Sequence, residues 1–166
     1  GGALVNSSGQ LIGINTAILS RTGSYAGYGF AIPVNIVKKV FNDIVKYGEV
    51  QKAFAGAEFI DIDGDLSARL DIMNLDGVII SDVKKDGAAQ KAGLEKRDVI
   101  RKINNQVVYS RANIEELIAK SYPGDQLNVV LEREGKMLSK NLVLTNRNGT
   151  TGVITRDIYI SDELEA

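Results

Sequence analysis

The sequence contains no histidine. Imidazole is the usual general base near neutral pH and the commonest metal ligand, so no Ser-His-Asp triad forms within this chain. Cysteine is also absent, which removes disulfides, thiolate nucleophiles and thiolate zinc sites and leaves the redox compartment open. No metal and no cofactor is expected. No apolar run approaches the roughly 20 residues that a membrane helix needs, so no integral membrane segment is expected. Charge of one sign is missing as well: Lys and Arg number 20 against 21 Asp and Glu, a net charge of -1. That balance lacks the basic footprint of a nucleic-acid binder or of a protein held on anionic lipid. The first residues show no signal-peptide progression; a piece of a longer protein would not retain one.

What remains is the composition of a globular chain, 44% apolar and 25% charged over 166 residues. That length holds one ordinary domain, or a compact domain and part of another. Ala3-Leu4-Val5 and the run Leu11 to Leu19, joined by Asn6-Ser7-Ser8-Gly9, read as a β-hairpin. A Gly-, Ser- and Tyr-rich loop from Arg21 to Gly29 precedes Phe30-Ala31-Ile32-Pro33-Val34, a strand that ends near Pro33 because proline has no N–H to donate. Asn35 is expected to cap a helix reaching Gly48. Its apolar stripe is Ile36, Val37, Val40, Phe41, Ile44 and Val45, with Lys38, Lys39, Asn42 and Asp43 outside it. Such a stripe needs a partner surface, and the strands before it are too few to close a barrel.

From about Val50 to Thr145 the pattern becomes a self-contained αβ unit. Strands are expected at Phe54 to Ile60, Gly77 to Val83, Asp98 to Ile103, Val107-Val108, Leu127 to Arg133 and Leu138 to Leu144. Leu66, Leu70, Met73 and Leu75 mark a helix, Ala88 to Ala92 a short one, and Asn113 to Lys120 a third with the stripe Ile114, Leu117 and Ile118. The domain reading is 1–34 for a set of strands, 35–49 for a connecting helix, 50–145 for the αβ unit, and 146–166 for a linker or the start of a further module. Asp61-Ile62-Asp63-Gly64-Asp65 has the composition of a calcium loop but neither its ligand spacing nor its terminal Glu, and reads as a solvated turn.

Two sets of motifs, in this order, carry a family resemblance. Gly1-Gly2-Ala3-Leu4-Val5-Asn6 with Gly9 to Ala17 resembles the segment following the nucleophile of the HtrA family of serine proteases, where the full motif reads Gly-Asn-Ser-Gly-Gly. Tyr28-Gly29-Phe30-Ala31-Ile32-Pro33-Val34 resembles that family's last barrel strand. Gly87-Ala88-Ala89, Ala92-Gly93-Leu94, Asp98-Val99-Ile100, Ile103-Asn104 and Pro123-Gly124-Asp125 are similar to its first PDZ domain. Two positions depart from the pattern: Arg97 stands where the family has Gly before Asp-Val-Ile, and Ala55 where a large apolar residue precedes the Gly of the carboxylate-binding loop.

The resemblance implies a mainly β chain with some α: the end of a chymotrypsin-like barrel followed by a PDZ domain, a small β-sandwich or barrel capped by helices. The parent would be a serine endopeptidase for protein quality control in the periplasm or cell envelope. Its nucleophile would lie just before Gly1, its His and Asp farther upstream, and this chain alone would be inactive. Asn15, Thr16, Ala17, Ile18, Leu19 and Ser20 would form the strand that pairs with substrate beside the specificity pocket. Phe54, Ala55, Gly56, Ala57, Glu58, Phe59 and Ile60 would be the carboxylate loop and receiving strand for a peptide C-terminus, closed by Asn113, Ile114, Leu117 and Ile118. Partners would be unfolded or C-terminal peptide segments and, in the parent, a homo-trimer or larger assembly. A stand-alone peptide-binding adaptor is the alternative.

Overall fold

The computed structural model describes residues 1–19, 28–70, 72 and 74–156. The chain is mainly β with some helices and divides into two units, residues 1–50 with 155–166, and residues 51–154.

In the first unit β1 (Ala3–Val5), β2 (Leu11–Leu19) and β3 (Tyr28–Pro33) form an antiparallel sheet in chain order. Gly13 lies opposite Pro33, where a Cβ would meet the Ile32 carbonyl oxygen at 2.9 Å; only glycine lets the strands approach there. Helix α1 (Val34–Tyr47) starts directly after Pro33, so Asn35 sits inside its first turn and is not the cap. A proline ring pre-sets the backbone angle for a helix start without a capping side chain. The helix ends at Gly48 in the left-handed region, with the Gly48 N–H donating to Ile44 O.

The expected buried stripe of α1 is corrected here. Phe41, Ile44 and Val45 are exposed, while Lys39 and Asp43, expected outside the stripe, are the helix's buried residues and form an ion pair at 2.8 Å. Periodicity identifies the apolar face, but which face turns inward depends on the surface available to cover it. Among the described residues of this unit no large apolar side chain is buried.

The second unit holds the hydrophobic core. Strands β4 (Ala57–Asp61), β5 (Val78–Val83), β6 (Val99–Ile103), β8 (Gln126–Arg133) and β9 (Lys136–Val143) form one antiparallel sheet in the order β4-β5-β6-β8-β9, and β7 (Gln106–Val107) pairs with β6. The sheet does not close. One isolated bridge, Phe54 to Thr145, joins the segments flanking its two edges. Helices α2 (Gly64–Leu70), α3 (Ala88–Lys91) and α4 (Arg111–Lys120) complete the unit. Val78, Ile80, Leu94, Ile100, Ile103, Ile114, Val129, Leu131 and Leu144 form its centre, supplied by strand positions, the inward face of α4, the α3–β6 connection and the residue after β9. The hairpin turns Asn104-Asn105 and Glu134-Gly135 all take positive φ, as two-residue turns between twisted strands require.

The second helix ends at Leu70, and Leu75 is exposed outside it; Met73 lies outside the described residues. Asp63 Oδ1 accepts the Leu66 N–H at 2.7 Å, so the acidic turn caps α2. Residues 146–154, read from sequence as the start of the tail, are held in this unit. The Gln51 side-chain amide donates to Ile154 O at 2.7 Å and accepts the Ile154 N–H at 2.8 Å.

Candidate peptide-binding groove

The loop before β4 is tied down through its carbonyls. Phe54 O accepts the Thr145 N–H, Ala55 O the Ala89 N–H at 2.8 Å, and Gly56 O the Lys84 N–H at 2.9 Å. With those oxygens committed, the N–H groups of Ala55 and Gly56 donate to no acceptor among the described residues. Gly56 has φ +70, and a Cβ on it would meet the Ala88 nitrogen at 3.0 Å and the Gly87 Cα at 3.2 Å. Both the backbone angle and the contact require glycine. Successive free N–H groups at such a turn form a concavity suited to an anion.

Immediately after this loop runs β4, an edge strand whose one strand partner among the described residues is β5. Its free edge presents unpaired backbone groups, the feature that permits strand addition. Along it Ala57 and Phe59 are half-buried and pack on the core, whereas Glu58 and Ile60 are exposed. Helix α4 approaches β4 at its far end: the Arg111 N–H donates to Asp61 Oδ1 at 2.5 Å.

The helix residues divide differently from the sequence reading. Ile114 is 1% exposed and belongs to the core. Asn113 and Leu117 line a separate cleft of about 570 Å³ on the flank of α4 toward β7 and the start of β8, together with Tyr109, Glu116, Lys120 and Gln126. Asn113 is also occupied locally, its Oδ1 accepting the Tyr109 and Ser110 N–H groups at 3.1 and 3.2 Å. At 100° per residue the opposite flank carries Arg111, Glu115 and Ile118. Of the four helix residues singled out from sequence, Ile118 is the one that this geometry leaves toward β4. Arg111 and Glu115, which form an ion pair at 3.2 Å, escaped the sequence reading because it started the helix two residues late. Phe54 is 43% exposed and stands outside the core.

In the first unit, Asn15, Thr16, Ala17, Ile18 and Leu19 lie on β2, while Ser20 lies outside the described residues, as does the expected Arg21 to Gly29 loop up to residue 27. β1 covers β2 only as far as Asn15, whose N–H donates to Gly2 O at 2.9 Å. From Ala17 to Leu19 the strand pairs with β3 on one side and, among the described residues, with no strand on the other.

Comparison with known proteins agrees with this geometry. Residues 54–144 match the PDZ domain model, a span that begins at the tied loop and ends after β9. The chain is 37% identical over 153 residues to a probable periplasmic serine endoprotease, DegP-like, of Chlamydia muridarum, covering 92% of this chain and 31% of the relative. It is 38% identical over 144 residues to the periplasmic serine endoprotease DegP of Escherichia coli, covering 87% and 30%. Among solved structures it is similar to the HtrA-type protease AlgW with decapeptide, at 33% identity and a TM-score of 0.69, covering 88% of this chain and 45% of that one. The chain thus spans about a third of the length of these curated relatives. Its open-edged strand beside a glycine-dependent amide loop, and a PDZ match over more than half its residues, place the chain in the PDZ family, in the form carried by HtrA-type serine endoproteases.

Proposed function

We propose that the second unit binds the C-terminal segment of a partner polypeptide by adding it as a strand to the free edge of β4, with its carboxylate on the amides of Ala55 to Ala57. The observation that carries this reading is the loop itself: three successive carbonyls are engaged by Thr145, Ala89 and Lys84, the N–H groups of Ala55 and Gly56 meet no acceptor among the described residues, and Gly56 holds a glycine-only backbone angle. Phe54, Ala55, Gly56 and Ala57 form the loop, Glu58, Phe59 and Ile60 the receiving strand, and Ile118 closes the groove. Ile114 supports it from within the core.

The whole protein would be a periplasmic or cell-envelope HtrA-type serine endopeptidase acting in protein quality control on unfolded polypeptides. Residues 1–34 would be strands of its protease barrel and 35–49 the helix leading to the PDZ domain. The exposed apolar side chains of α1 and the free edge of β2 support this, since both would be covered or used in a complete barrel. Asn15 to Ser20 would pair with substrate there, and assembly as a trimer would run through that domain. Lacking histidine, the 166-residue chain supplies no triad and is expected to leave casein uncut.

The test is fluorescence anisotropy of the chain with an apolar decapeptide bearing a free C-terminus and with its C-terminal amide. Hydrogen bonds to a charged group are worth about 1.5–3 kcal/mol, so amidation is expected to weaken binding by about 10- to 100-fold. Equal affinity for both peptides would refute the carboxylate loop.

A further inference from the structure

The outer face of the receiving strand carries an unexplained pair of like charges. Glu58 on β4 lies directly opposite Asp82 on β5 in the antiparallel register, and both side chains are exposed. Like charges placed directly across a sheet destabilise it. Neither carboxylate forms an ion pair or a side-chain hydrogen bond among the described residues; Lys84, the residue just after β5, pairs with neither. The adjacent positions on that face do not compensate, since Ile60 is apolar and exposed.

A peptide lying on the free edge of β4 has a definite register. With its carboxylate on the Ala55 to Ala57 amides, its terminal residue lies opposite Ala57 and shares the inward face, toward Phe59 and Ile118. Its penultimate residue lies opposite Glu58 and points outward, because strand side chains alternate. That residue meets Glu58 as its direct cross-strand neighbour and Asp82 one strand beyond. We propose that Glu58 and Asp82 are specificity-determining residues that select a basic penultimate residue, lysine or arginine, in the bound C-terminus. A cation there would pair with Glu58, its direct cross-strand neighbour, and offset part of the repulsion that Asp82 exerts from one strand beyond. This selection rests on the groove reading given above, and defines the ligand as an apolar-ending C-terminus with Lys or Arg next to last.

The test uses three decapeptides with free C-termini, identical except for Lys, Ala or Glu at the penultimate position, titrated against the full chain by anisotropy. Opposite-charge cross-strand pairs at a surface are weak individually, so the expected gain is roughly threefold from Ala to Lys and about tenfold from Glu to Lys. The ratio should shrink in about 1 M salt, where the screening length falls to about 3 Å. In the double variant Glu58→Gln with Asp82→Asn the Lys-to-Glu ratio should fall toward one. If all three peptides bind the wild-type chain equally, and the C-terminal amide still weakens binding, the charge selection is wrong and the groove stands. A Lys preference that survives in the double variant also overturns it. Binding by none of the three, or binding indifferent to amidation, overturns the groove and the selection together.

Discussion

At the residue scale Asp98 is a tightly held charge, only 1% exposed. Its carboxylate accepts the Glu95 N–H at 2.8 Å and two bonds from Arg133, at 2.6 and 2.8 Å from Nε and Nη2. The Asp98 hydrogen bond holds the guanidinium above its ordinary pKa. Arg133 also donates to Gly93 O at 2.8 Å and pairs with Glu95, clamping the α3–β6 connection to β8. Removing the cation leaves a buried carboxylate uncompensated, and Arg133→Met is expected to cost about 3–5 kcal/mol, measured as a fall in the urea midpoint. Arg97 shows how a departure read from sequence becomes physical: it has φ +76, a conformation that costs a side-chain-bearing residue about 1–2 kcal/mol. It is held there by its N–H donating to Ile80 O at 2.9 Å. Gly56 was legible from its place in a motif, whereas the commitment of the neighbouring carbonyls was not, because their acceptor roles depend on Ala89 and Thr145, far along the chain.

At the element scale α4 shows what periodicity can and cannot assign. The stripe Ile114, Leu117 and Ile118 was visible at helical spacing, and Ile114 does enter the core. The start of the helix was not placed correctly, because Ser110-Arg111-Ala112-Asn113 departs from the usual Ser-x-x-Glu capping signal. Asn113 Oδ1 nevertheless accepts two N–H groups ahead of the first turn. Asn113→Ala should therefore destabilise the second unit by about 1 kcal/mol, seen in thermal unfolding. A groove-lining role alone would instead change peptide affinity at unaltered stability. In α1 an apolar stripe is equally legible, yet Lys39 and Asp43 are its buried members. A pattern records which side chains are apolar; the partner surface decides which are covered.

At the scale of the whole molecule the two units carry unequal shares of the core. Every buried apolar side chain among the described residues lies at or beyond Ala53 and no farther than Leu144, within residues 51–154. Those residues expressed alone are expected to unfold in one cooperative urea transition with an m-value of about 1–2 kcal/mol per M. A broad, non-cooperative transition would show that the first unit is needed. The upper limit matters, since Gln51 and Ile154 bond to each other and a cut at 145 would strip off the segment that Asn146 holds through Thr150 and Gly152.

Strand and turn positions in residues 51–154, the glycine loop and the absence of any histidine base were all determined by the sequence, because each depends on local backbone preference or on residue type alone. Tertiary structure decided the open edge of β4, the cross-strand register that sets Glu58 opposite Asp82, the placing of Asn113 and Leu117 in a cleft with residues of β7 and β8, and the burial of the Lys39–Asp43 pair. Each of these depends on contacts between residues distant in the chain or on which face of an element meets another, and neither is encoded in spacing along the sequence.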